Sequence, residues 1–113
     1  MPRTLRCPFF GSGVEFSDER AQHIREAHVE LLPEFDRELV ETLADPDVVM
    51  HQPARPDEHA FARFWPHVGG GRSIMGVVVT DLPSSRAEGP RHWVVTAYLA
   101  RRLPRWTVDW QRS

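Results

Sequence analysis

The stretch Arg91-His-Trp-Val-Val-Thr-Ala-Tyr-Leu99 decides how this chain reads as a fold. It is dense in β-branched and aromatic residues, which suit a pleated surface. Successive side chains of a strand point to opposite faces. Strict alternation therefore puts Trp93, Val95, Ala97 and Leu99 on one face and His92, Val94, Thr96 and Tyr98 on the other. The first set reads as core. The second is either a solvent face, as an antiparallel sheet covered on one side normally shows, or the floor of a site, because imidazole, hydroxyl and phenol groups move protons and hold phosphates.

Upstream of that strand, Ser73 to Asp81 with its Val77-Val-Val centre is a second clear strand, entered through the Gly69-Gly-Gly turn. Pro83 to Pro90 reads as a polar hairpin loop between the two. Ala60 to Trp65 and Val48 to His51 add further strands, separated by a turn at Pro53 to Glu58, and Val14 to Phe16 adds a short one. Ser17 is an N-cap, with Asp18 and Glu19 where the helix dipole favours acids. The spacing of Ala21, Ile24, Ala27, His28 and Leu31 predicts a helix from Asp18 to about Leu31. Pro33 suits the first turn of a second helix whose buried side is Phe35, Leu39, Val40 and Leu43. The expected architecture is α+β: two N-terminal helices packed on one face of a four- to five-stranded antiparallel sheet. Residues 1–13 read as a flexible tail and 103–113 as a C-terminal extension of one domain spanning 1–113.

Bulk properties bound the function. The 113 residues suffice for one core, and 41% hydrophobic with 27% charged residues is ordinary globular usage. There is no apolar run long enough to span a membrane and no signal-peptide pattern at the start, so a cytoplasmic protein without membrane association is expected. The lone Cys7 fits a reducing compartment and excludes a thiolate zinc cluster. A net charge of −2 gives no general attraction to nucleic acid, but charge is segregated, with Arg91, Arg101, Arg102, Arg105 and Arg112 in the last quarter. All 14 basic residues are arginine.

His23 and His28 stand five apart, rotated by about 140° on a helix, so they do not form the paired ligands of a helical zinc site. No metal and no cofactor is expected. Arg63 alternates with Phe61 and Trp65 and either lies over aromatic surface or holds an anion. Arg101 and Arg102 follow the closing strand directly, where they are either solvated or reach a ligand on its polar face. His51, His59 and His67 fall at strand ends or in loops and read as solvated. Gly69-Gly-Gly-Arg lacks the ending of a phosphate-binding loop, and no serine-nucleophile motif is present.

Taken in order, His23-Ile-Arg-Glu-Ala-His28, the second helix ending Leu43-Ala-Asp-Pro-Asp-Val-Val, Arg63-Phe-Trp, Val77-Val-Val and His92-Trp-Val-Val-Thr96-Ala-Tyr98 resemble the small ribonuclease-type domains of the barnase/EndoU/colicin/RelE assemblage, in particular phage-associated members and BrnT-like toxins. The resemblance spans about Val14 to Arg102. It implies metal-independent RNA cleavage by transesterification, with His23 or His28 as acid or base, Arg63 as the phosphate-binding cation, and Thr96 and Tyr98 at the scissile phosphate; from their place on and just after the closing strand, His92, Arg101 and Arg102 are the candidate substrate contacts. It also implies RNA as partner and a cognate antitoxin or immunity protein. The alternative is a non-catalytic module that binds a protein or small ligand through the Trp- and Arg-rich C-terminal segment. A homodimer through Trp106 and Trp110 is a further option.

Overall fold

The structure, a computed structural model, describes residues 2–81 and 89–113. Most of the expected Pro83 to Pro90 loop lies outside the described residues. The chain runs β1 (Arg3–Leu5), β2 (Val14–Phe16), α1 (Asp18–Ala27), α2 (Asp36–Ala44), β3 (Val48–Gln52), β4 (Arg55–Trp65), β5 (Arg72–Asp81), β6 (Arg91–Ala100) and β7 (Thr107–Gln111).

Both helices begin and end for local reasons. The Ser17 hydroxyl accepts from the Arg20 amide at 3.1 Å, and Asp18 and Glu19 occupy the first turn of α1. The helix stops at Ala27 rather than near Leu31. Leu31 and Leu32 are 0% and 2% exposed, so the segment after His28 folds into turns that bury them instead of extending the helical face. Pro33 lies in that connection, and α2 starts at Asp36.

The sheet departs from the expected four to five antiparallel strands. It has seven, in the order β1-β2-β6-β5-β4-β3-β7, and it is mixed, because β2 meets β6 in parallel at Glu15 and Trp93. The extra strands come from the presumed tail and extension. β1 pairs with β2, buries Leu5 and leads to a buried Cys7. β7 pairs with β3 on the far side. Both are short, and every residue of β7 is at least partly exposed, so neither carries the apolar alternation by which strands are recognised. β4 also starts earlier than expected, since only Pro53 and Ala54 turn before it.

The helices do share one face. Ala21 and Ile24 of α1 and Leu39 and Leu43 of α2 pack with Val49, Phe61, Ile74, Val78, Val94 and Ala97 of the sheet. A Cβ on Gly76 would stand 2.7 Å from Leu43 Cδ1, so glycine here leaves the space that the Leu43 side chain of α2 fills against β5. On the opposite face Met50, Ala60, Ala62 and Met75 form a second cluster with Tyr98 and Trp106.

A bulge corrects the expected faces of β6. Val77 pairs with Thr96 but Val78 pairs with Val94, which leaves Val95 unpaired and shifts the alternation by one. His92 and Val94 therefore share the helix-covered face with Ala97, at 5%, 0% and 0% exposure, while Thr96 and Tyr98 stay on the other.

Candidate functional site

The sequence-expected constellation is divided. His23 is exposed on the outer side of α1. His28, the C-cap of α1, reaches the edge of β6, where its ring lies 5.9 Å from that of Tyr98, and its Nδ1 is 3.5 Å from Glu30. Burial raises the Tyr98 phenol above its ordinary value, with Glu58 adding to the effect, so the phenol is a proton donor rather than a phenolate at neutral pH. Arg63 is on the opposite face. Its guanidinium lies 4.2 Å from the Trp65 ring centroid and 3.2 Å from Asp45, with Glu41 at 3.9 Å. That cation already serves the end of α2. Arg101 and Arg102 are exposed in the bend after β6.

His92 is not on the face of Thr96 and Tyr98, where alternation alone put it. Its Nδ1 lies 2.8 Å from the Thr80 hydroxyl, and Phe10 stacks on its ring at 3.9 Å with planes 6° apart. Phe10 also stands edge-on to His59 at 5.2 Å. The turn that carries Phe9 and Phe10 closes through Phe10 N–H to Cys7 O and Gly11 N–H to Pro8 O, with Gly11 at φ 69°. The presumed tail thus lies across the helix-covered face beside the helices.

Beneath it is a cluster that sequence reasoning missed. His51 and His59 face each other across β3 and β4, their rings 6.2 Å apart. Asp109 of β7 lies against both: its carboxylate oxygens are 2.8 and 2.9 Å from His51 Nδ1, and one is 3.7 Å from His59 Nε2. Asp109 shares the face of Thr107, which pairs with His51, and a second bulge follows it. Met50 pairs with Val108 and Val49 with Trp110, so Asp109 is the extra residue and Trp110 joins it on the helix-covered face. Bulges re-aim side chains in this way beside many active sites.

Burial lowers the pKa of His59, a shift that Asp109 only partly opposes, and burial lowers that of His92, with His59 adding to it. Both rings therefore stay neutral at neutral pH. The one thiol nearby is inert, because burial pushes Cys7 up to about 11. Among the described residues, no group of three or more His, Cys, Asp and Glu side chains is arranged to hold a metal ion. His67 is also paired rather than simply solvated, with its Nε2 2.7 Å from Glu38.

The signal for this cluster was present as three histidines and an aspartate at scattered positions, 58 residues separating His51 from Asp109. No local pattern joins them. No helix among the described residues is long and apolar enough to cross a membrane. No protein-family model matches the chain, and no curated protein and no solved structure matches it.

Proposed function

We propose that this protein is an endoribonuclease that cleaves RNA by transesterification, with His51 and His59 as its acid–base pair. The observation that carries the reading is the His51 imidazole seated on both oxygens of Asp109, with the His59 ring 6.2 Å away on the same carboxylate. A carboxylate at Nδ1 fixes the tautomer, orients the ring and leaves Nε2 as the working atom. The His51 side chain keeps 26% of its surface open to solvent. Burial lowers the pKa of His59, whose Nε2 faces the Asp109 carboxylate at 3.7 Å and whose Nδ1 is buried without a hydrogen-bond partner.

RNA supplies its own nucleophile, which suits a site whose nearby thiol is inert and whose Thr80 hydroxyl is engaged with His92. One imidazole takes the 2′-hydroxyl proton as that oxygen attacks the adjacent phosphorus. The bond from phosphorus to the 5′ oxygen breaks, and the other imidazole gives that oxygen a proton, leaving a 2′,3′-cyclic phosphate. A cytoplasmic setting and an inhibitory partner of the antitoxin or immunity type belong to the same proposal.

The test is incubation of the purified protein with RNA in EDTA, scoring 2′,3′-cyclic phosphate ends. His51→Ala and His59→Ala are each expected to lower the rate by roughly 10²- to 10⁴-fold, while His28→Ala and Tyr98→Phe retain it. Full cleavage by the His51/His59 double variant refutes the assignment. Loss of cleavage in the His28 or Tyr98 variant instead moves the site to the β6 edge.

A partner-binding module is the second reading, favoured by β7. Its five residues are all exposed, it is an outer strand of the sheet, and Val108 and Trp110 stand open on its two sides. Stable complex formation without turnover supports that reading.

A further inference from the structure

We infer that the cleft between the N-terminal turn, the end of α2 and β7 is a nucleobase subsite, in which one base of a nucleic-acid strand lies against Phe9 and Trp110. The inference takes its substrate class from the ribonuclease reading above. The cleft has a volume of about 410 Å³ and is lined by Pro8, Phe9, Ala44, Asp45, Pro46 and Trp110. That volume is in the range of small-ligand sites.

Both aromatic walls are held in place and left open. Phe9 is 39% exposed, yet its ring is fixed edge-on against Phe61 at 5.7 Å and Phe10 at 5.3 Å. Trp110 is 42% exposed and is turned to this face by the bulge that follows Asp109. Rigid, exposed aromatic faces are the surfaces on which unpaired bases stack, and stacking tolerates any base because each has a π-face.

The charges at the cleft argue for a neutral occupant. Asp45 is bonded by Arg112 at 2.6 Å and by Arg63 at 3.2 Å, and Arg112 also reaches Asp47 at 3.3 Å. With Glu41 also on Arg63, two arginines there meet three carboxylates, which leaves no positive field for a phosphate and favours a flat, uncharged ring. Two of the lining residues adjoin the imidazole pair. Trp110 follows Asp109 directly in the chain, and the Phe9 ring lies 6.0 Å from that of His59. A base seated against these walls leaves its phosphodiester at the end of the cleft where the imidazoles stand.

The probe is a short fluorescein-labelled single-stranded oligodeoxynucleotide, which lacks the 2′-hydroxyl and is not cleaved by transesterification. Binding is read by fluorescence anisotropy, with circular dichroism confirming that each variant is folded. Phe9→Ala and Trp110→Ala are each expected to weaken binding by about tenfold or more. Trp110→Phe keeps most of the affinity. No binding by the parent, or parental affinity in both alanine variants, overturns the subsite. A Trp110→Ala variant that dissolves a homodimer with oligonucleotide affinity intact also overturns it, by making the cleft a self-association surface. Binding that depends on Phe9 and Trp110 without any RNA cleavage upholds the subsite and refutes the ribonuclease reading instead.

Discussion

Replacing Gly76 by alanine measures how closely α2 is pressed onto the sheet, and so what fixes the Asp45 and Pro46 wall of the cleft. The new Cβ would stand 2.7 Å from Leu43 Cδ1 and 3.6 Å from Leu39 Cδ1. Carbon atoms pack comfortably at about 3.5–4.0 Å, so Leu43 must retreat by roughly an ångström. Leu39 and Leu43 are both fully buried, and the retreat therefore forces a poorer rotamer or lifts the helix. Overpacking of this kind costs about 1–3 kcal/mol. Loss of glycine's freedom in the unfolded chain returns about 0.4–1 kcal/mol. The net expectation is a loss of about 1–2 kcal/mol, a fall in Tm of roughly 4–8 °C for a domain of this size. Thermal and urea melts followed by circular dichroism read it directly. Leu43→Ala alone should cost about 2–5 kcal/mol, but it removes the clashing methyl, so the double variant should be more stable than the sum of the singles by at least about 0.5 kcal/mol. A Gly76→Ala protein as stable as the parent, or strictly additive singles, refutes the close approach.

Two further outcomes follow from the histidine cluster and the turn above it. His59 and His92 have pKa values lowered in the fold, chiefly by burial, so below the ordinary histidine value of about 6.5 the unfolded chain binds more protons than the folded one. Their contribution is complete above that value and is lost as pH falls from there through the lowered folded values. Urea midpoints should decline over roughly pH 7 to 5, and a His59→Gln, His92→Gln variant should flatten the decline; a midpoint that rises on acidification contradicts the burial of these rings. The carboxylate of Glu38, lowered by its bond to His67, gives a separate loss only below the ordinary glutamate range. Cys7, 2% exposed with its thiol pushed up to about 11, should react with a disulfide reagent at mildly alkaline pH only as fast as the protein opens. Rapid stoichiometric labelling of the folded protein would show that the Phe9 and Phe10 turn is not docked.

The elements legible in the sequence are those with local causes. The Ser17 cap, the apolar stripe of α2 and the β-branched runs of β5 and β6 each announce themselves over a few neighbouring residues and form close to where the pattern puts them, whereas only Ala21 and Ile24 of the expected α1 stripe lie buried on that helix. The placement of two helices on one sheet face was legible for the same reason. The face of His92 was not. One unpaired residue at Val95 reverses the phase of β6, and a bulge leaves no mark on an alternating pattern. Likewise β1 and β7 owe their place to partners, β1 through its pairing with β2 and β7 through β3, rather than to any signal of their own.

For the site the division is sharper. Composition by itself supplied imidazoles, carboxylates, aromatic rings and arginines, along with the chemistry each performs. Tertiary structure alone decided which of them meet. Arg63 was spent on Asp45 and Glu41 at the end of α2, and Tyr98 kept company with His28 on the other side of the sheet. His51, His59 and Asp109 came together because the strand order sets β4, β3 and β7 side by side and the register puts Asp109 on the face of His51. Periodicity in a sequence reports which face a residue takes within its own element. Which residues share a site depends on strand order and register, and those are settled by packing across the whole chain.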